Sequence, residues 1–337
     1  MSKKLFLFVA ALAVFLIFVA REARYRWHLT LVPSESAEEV IFQVERGTPA
    51  RKIAAELAMR GLVVSKSSFL RHLEEAGLVT KLHAGRHLLR RNATIPELAA
   101  ALIAETPEEI RVRVPEGFTL KQLDAWLARR GIFAEGEILA VAAEKNFSRW
   151  REEFPFLPSL QEGIREPLEG WLFPETYFLS SADLSAEALL RRSLAEMGKR
   201  LAALGVSGEE ARRAVILASL LEKETPAAAE KPLIAGILLA RLAEGQRLGV
   251  DATTRYAVEK LSAALTKADL ACDDPFNTRK VWGWPPGPIA FPSATSLSAA
   301  VNPEETPFRF YLHDAAGKIH LARTLAEHNA NVARWLR

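Results

Sequence analysis

Residues 44–61 read VERGTPARKIAAELAMRG, and residues 114–131 read VPEGFTLKQLDAWLARRG. The two align without a gap, 70 residues apart, with identities at Val44/Val114, Gly47/Gly117, Ala55/Ala125, Leu57/Leu127, Ala58/Ala128, Arg60/Arg130 and Gly61/Gly131. Each leaves a strand, turns at a glycine, runs as an amphipathic helix and stops at a second glycine. Ile53 matches Leu123, so the apolar helix face carries over with the identities. Similarity at a fixed spacing marks a duplicated module.

Outward from this pair, the first copy reads as strand 40–44, helix 48–60, helix 67–75, returning strand 85–89 and a further helix 95–105. The second copy continues with helix 135–145. An insertion of about 20 residues follows, FSRWREEFPFLPSLQEGIREP (147–167), rich in aromatics and prolines. A returning strand 176–179 and a helix 186–204 complete the copy. The enlarged copy is the one expected to have acquired a site.

Residues 5–20, LFLFVAALAVFLIFVA, carry no charge and follow Lys3 and Lys4. The run is slightly shorter than the ~20 residues usual for a span, with Tyr25 and Trp27 as interfacial anchors. It reads as a transmembrane anchor, 5–22, after a short cytoplasmic tail, 1–4. Small residues spaced for signal cleavage occur only at Ala11 and Ala13, inside the apolar run, which argues against a cleaved leader. Arg21, Arg24 and Arg26 oppose the two lysines, so charge alone sets orientation weakly. A polar link, 32–39, leads to the first module.

The 337 residues have room for two domains, and 49% hydrophobic with 25% charged residues is a globular composition. The net charge of +3 comes from scattered basic residues with no basic-aromatic stripe, so nucleic acid is not an expected partner. Cys272 is the single cysteine, which excludes an internal disulfide and a cysteine metal cluster. His83 and His87 are four apart, but Gly85 lies between them on an expected strand. No metal site and no cofactor are expected.

Four stretches carry candidate chemistry. In AVILASLLEKETPAAAEKPLIAGILLARLAEGQRLGVDATTRY (214–256) two helices are expected, the first capped by Ser207 with Glu210 three residues on and ending before Pro226. At about 100° per residue, Glu222 falls on the face of Val215, Ala218 and Ser219. A carboxylate there is costly unless paired or protonated, which makes Glu222 a candidate general acid. The same Glu222-Lys223-Glu224 also fits a helix end fraying into solvent, and helical phase does not separate Glu222 from Glu224.

EGWLFPETY (169–177) sets Glu169 beside Trp171 and Tyr177, a combination that suits sugar rings and equally suits an aromatic core. GVDATTRY (249–256) offers Asp251 as a helix cap, with Asp251, Thr253 and Tyr256 able to face a ligand. FNTRKVWGWPPGPIAFP (276–292) is a loop stiffened by prolines, suited to a binding wall, with Asn277 and Thr278 as neutral hydrogen-bonding groups. Strand 308–313, turn 314–317, strand 318–321 and helix 324–336 close the chain, with His328 and Asn329 near the hairpin. No serine-hydrolase spacing, phosphate loop or dinucleotide fingerprint is present.

ASLLEKET (218–225), EGWLFPETY (169–177), LGVDATTRYAV (248–258), FNTRKVWGWPPGPI (276–289), SLSAAVNP (296–303) and EHN (327–329), behind an anchor, together resemble the endolytic murein transglycosylases, also called MltG or YceG-like proteins. The resemblance implies an α+β fold with an N-terminal transmembrane helix. A LysM-like β-α-α-β module over 40–105 would then lead to a catalytic domain over 106–337. In that domain the enlarged copy, 106–204, precedes catalytic helices and a hairpin, 205–337. It implies cleavage of peptidoglycan glycan strands between N-acetylmuramic acid and N-acetylglucosamine. The first glutamate of the Glu-Lys-Glu-Thr motif, Glu222, is then the catalytic acid and base, leaving 1,6-anhydro ends. It further implies peptidoglycan synthases as partners and a catalytic region on the outer, periplasmic face of the plasma (inner) membrane. The family commonly has Ser or Thr, then Asp-Pro-Thr, where this chain has Val250-Asp251-Ala252-Thr253. It commonly has Tyr-Asn-Thr-Tyr where this chain has Phe276-Asn277-Thr278-Arg279. Two rivals remain at this stage: a non-catalytic wall-binding scaffold that recruits a synthase, and a hydrolase pairing Glu222 with Glu169 or Asp251.

Overall fold

The computed structural model describes residues 3–104, 109–180 and 184–336, and the side chains of all of these except 3–7 and 9–11. Helix α1 (Lys3–Thr30) comes first. Strand β1 (Glu39–Val44), helices α2 (Ala50–Met59) and α3 (Lys66–Glu75) and strand β2 (Gly85–Arg90) follow, and α4 (Ile95–Ile103) closes the first copy. The strands pair antiparallel, Val40 opposite Leu89 and Phe42 opposite His87. Their apolar faces meet Ile53 and Leu57 of α2, Phe69 and Leu73 of α3, and Leu98 and Leu102 of α4 in one core. Side chains fix the helix starts: Ser65 accepts from the Ser68 amide, and Glu97 accepts from the Thr94 amide at 2.8 Å. His87 is buried and bonds the carbonyls of Ala101 and His83 at 3.0 and 2.9 Å, a structural use of the ring. Among the described residues no group of three His, Cys, Asp or Glu side chains is placed to hold a metal ion.

The last turns of α1 dock on this module. Tyr25 is buried, with the Arg71 guanidinium 4.0 Å from its ring centroid, and His28 Nδ1 lies 2.8 Å from Ser68 Oγ. The anchor expected at 5–22 includes residues 5–7 and 9–11, whose side chains lie outside the described set, and among the described residues no helix is long and apolar enough to cross a membrane.

The second copy repeats the order: β3 (Glu109–Arg113), α5 (Leu120–Arg129), α6 (Glu137–Ala142) and, after the insertion, β4 (Thr176–Ser180), which pairs with β3. The single helix expected at 135–145 is two, because α6 stops at Ala142 and α7 (Glu144–Glu153) begins just before the insertion and runs into it. Ala143 is extended at the break (ψ 156°), and side chains of α7 take the last carbonyls of α6. Asn146 donates to Ala140 and Val141, both at 3.1 Å, and the Trp150 indole donates to Val141 at 3.2 Å. At the other end of α6, buried Asp124 accepts from the amides of Gly136 and Ile138 at 2.8 and 3.0 Å.

Helices α8 (Ala186–Ala203), α9 (Gly208–Glu224), α10 (Lys231–Ala243), α11 (Asp251–Ala257), α12 (Lys267–Leu270) and α13 (Ala294–Val301) follow. The hairpin β5 (Phe310–His313) and β6 (Ile319–Ala322) comes next, antiparallel with Tyr311 opposite Leu321, and α14 (Leu325–Trp335) ends the chain. Two expected caps differ. Ser207 holds the cap position of α9, but its side chain makes no capping bond. Val250, not Asp251, holds that of α11; Asp251 is the first helical residue and its carboxylate turns to Arg279 at 2.5 Å. The architecture is mixed α+β with three two-stranded sheets among the described residues. It divides into two compact units. One holds Met1–Ile110 with Leu127–Ala134 and Ser180–Ala182, and the other Arg111–Trp126, Glu135–Leu179 and Asp183–Arg337.

Candidate active site

The site is built in the second unit on the last turn of α9. Ala214 to Leu221 are all buried, so the helix is held on every side before it reaches Glu222, whose side chain is 11% exposed. One turn earlier, buried Ser219 donates to the Ile216 carbonyl (2.7 Å) and accepts from the Ile289 amide (3.1 Å). That bond and one from Arg212 to the Pro286 carbonyl (3.4 Å) lay the proline loop alongside α9, in the same direction. The loop then delivers Ser293 to Glu222.

Four donors converge on one carboxylate oxygen. Glu222 Oε2 accepts from Ser293 Oγ (2.5 Å), Ser296 Oγ (2.6 Å), the Ser293 amide (3.0 Å) and Lys231 Nζ (3.1 Å). Lys231 is itself buried and also donates to Ser296 Oγ at 2.8 Å, so each hydroxyl proton is left to point at the glutamate. Ser293 caps α13, which places the carboxylate at a helix N-terminus, where negative charge is favoured. Burial alone would raise the proton affinity of Glu222. The hydroxyls of Ser293 and Ser296, the Ser293 amide and Lys231 outweigh it and hold the carboxyl below its ordinary value. Glu222 therefore rests as a paired carboxylate, and among the described residues none of these contacts falls on Oε1.

The turn of the second copy covers the stem of this side chain. Gly117, at φ +68°, would carry a Cβ 3.7 Å from Glu222 Cγ. Its amide donates to the Phe291 carbonyl and the Phe291 amide to Phe118, both at 2.8 Å, while its carbonyl accepts from Lys223 at 3.1 Å. Glu224 is also held: Tyr311 Oη donates to it at 2.5 Å, and burial raises its proton affinity. Neither glutamate frays into solvent.

Most other expected ligand residues are buried. Glu169 is buried, accepts from the Leu120 amide (3.0 and 3.2 Å) and from Tyr256 Oη (3.4 Å), and burial pushes it up to about 8. Trp171 is buried and rings with Phe156, and Tyr177 is buried with its hydroxyl on the Phe173 carbonyl at 2.7 Å. Thr253 and Thr278 are fully buried and share a hydroxyl–hydroxyl bond of 2.8 Å. Asn277, equally buried, donates to the carbonyls of Leu270 and Cys272 and accepts from Thr254. The polar groups of Glu169, Tyr177, Thr253, Tyr256, Asn277 and Thr278 are thus bonded within the fold, and Glu169, Trp171 and Tyr256 line a small cavity with Phe276 and Pro288. Asp251 alone of this set is exposed, and it pairs with Arg279. Sequence reasoning missed Ser293, Ser296 and Lys231. The run Pro292-Ser-Ala-Thr-Ser296 before an apolar segment carried a legible cap signal, but not its second use.

The Glu222 carboxylate thus lies recessed at a helix N-terminus, fixed by two serines and a lysine. Residues 42–334 match the model of the YceG-like family, and the chain belongs to that family. It is 26% identical over 314 residues to an endolytic murein transglycosylase of Bacillus subtilis, covering 90% of this chain and 87% of that one. It is 26% identical over 357 residues to one of Streptococcus pneumoniae, covering 97% of this chain but 64% of the relative. The crystal structure of a putative YceG-like protein of Listeria monocytogenes superposes with a TM-score of 0.60 at 26% identity, over 88% of this chain and 99% of that one.

Proposed function

We propose that the chain is a membrane-anchored endolytic lytic transglycosylase of peptidoglycan, with Glu222 as its one acid–base group. The observation that carries this is the cup on Oε2: it fixes the carboxylate and leaves Oε1 for the substrate. A strand lying over the site excludes water, which raises the proton affinity of Glu222 and loads Oε1. The proton passes to the glycosidic oxygen as the bond to the muramic acid C1 breaks. The C6 hydroxyl of the same sugar then closes on C1 and returns its proton to Oε1. Atoms balance without water, and a 1,6-anhydro end remains. No second carboxylate is needed, because the nucleophile belongs to the substrate and is already positioned. Glu169, buried behind Tyr256, and Asp251, paired with Arg279, act on the wall and not on the sugar.

Anchoring is supported by the consecutive exposed apolar side chains Val14, Phe15, Leu16, Ile17, Phe18 and Val19 of α1, which cover every face of the helix. The catalytic unit then works on the outer face of the plasma membrane, near peptidoglycan synthases that supply nascent strands. The strand-helix-helix-strand order of the first unit supports a LysM-like carbohydrate-binding role for it. The test uses chain from residue 23 onward on purified glycan strands. Anhydromuramyl ends are expected from the native sequence, with a loss of about a hundredfold or more in Glu222→Gln. Free reducing ends as the product, or undiminished cleavage by the variant, would overturn the proposal.

A further inference from the structure

The aromatic rings expected to meet sugar are buried, while Trp282 is 64% exposed. Single exposed apolar residues are ordinary on protein surfaces; what sets Trp282 apart is how it is held. On its N-terminal side the chain is clamped at Thr278, whose carbonyl accepts from the Gly249 amide and whose hydroxyl accepts from the Val250 amide, both at 3.0 Å. On its C-terminal side Gly283, at φ +80°, bends the chain into Pro285 and Pro286, and the loop is tied to α9 through Ser219, one turn before Glu222. The ring itself is backed by Arg247, whose guanidinium carbon lies 4.6 Å from the ring centroid. Arg247 is steadied in turn by a bond of 3.4 Å to the Arg279 carbonyl. With one face under the guanidinium, the exposed area belongs to the other face and the edges. A ring ordered in advance loses little freedom on binding.

We infer that Trp282, backed by Arg247, is a stacking platform for a pyranose ring of the glycan strand, on the loop that carries Ser293 to Glu222. A pyranose offers an apolar C–H face to an aromatic ring and keeps its hydroxyls at the rim. The guanidinium behind the indole holds the ring flat through a cation–π contact. This inference rests on the proposed function and extends it by a binding residue that touches neither reacting atom.

The test measures calorimetric binding of soluble, uncrosslinked glycan strands to full-length Glu222→Gln, which binds without cutting. Glu222→Gln/Trp282→Ala is expected to bind about two- to tenfold more weakly, and Trp282→Phe in the same background to recover most of the affinity. Strands stripped of their stem peptides should show the same loss. Equal affinity for the alanine variant overturns the inference. So does a loss confined to peptide-bearing strands, which would make this a peptide contact. If both proteins bind equally while the native chain still releases anhydromuramyl ends, the platform falls and the proposed function stands.

Discussion

Glu222 keeps its charge because the hydroxyls of Ser293 and Ser296, the Ser293 amide and Lys231 outweigh its burial. Ser293 and Ser296 come from a loop and helix 71 and 74 residues away, and Lys231 from the start of the next helix. Removing one donor favours the protonated form, so Ser296→Ala should raise the Glu222 value. Where the protonated enzyme starts the reaction, activity falls as pH rises through that value. The falling limb of the kcat/KM profile should therefore move to higher pH in Ser296→Ala, because one hydrogen bond to the charged form is lost. An unmoved limb would separate Ser296 from the acid–base group. Helical phase put Glu222 on the right face of α9, but no local pattern announces partners so distant in sequence. The same limit hid the aromatics: Trp171 and Trp282 differ in burial through what packs on them, which composition does not carry. Between Glu222 and Glu224, only the resemblance of the Glu-Lys-Glu-Thr motif distinguishes the two in the sequence.

At the scale of elements, the duplication was legible because strand, glycine turn and helix recur in register, and both copies fold in that order. The break between α6 and α7 was not, since it is made by Asn146 and Trp150 capturing carbonyls. Equivalent glycines also serve different ends. Gly61 and Gly131 both sit at φ +65°, but a Cβ at Gly61 meets nothing within 4 Å, whereas one at Gly131 would lie 2.4 Å from the Ile41 carbonyl. Gly131 ends α5 against β1, where the Ile41 amide donates to the Arg130 carbonyl at 2.7 Å. Gly61→Ala should cost about 1–2 kcal/mol of stability, the strain of a left-handed residue. Gly131→Ala should cost clearly more, because strand and helix must also part. Urea unfolding of the two variants checks this, and equal losses would contradict it.

Across the whole molecule, a buried acid couples stability to pH. Glu169 is pushed up to about 8 by burial, against a carboxyl near 4.5 when unfolded. Between those values the native state binds more proton than the unfolded chain, so stability declines as pH rises from about 4.5 to about 8, then levels. The slope from this group is at most ~1.4 kcal/mol per pH unit. Glu169→Gln should flatten the decline and leave the protein relatively more stable near pH 8, as thermal unfolding at several pH values would show; an unchanged slope would mean that Glu169 is not its source. The central claim, one carboxylate and a nucleophile within the substrate, is tested most directly by digesting glycan strands in water enriched in ¹⁸O and weighing the new ends. The account predicts anhydro ends with no ¹⁸O from the native chain and no new ends from Glu222→Gln. One ¹⁸O per cut, or undiminished cutting by the variant, would contradict it.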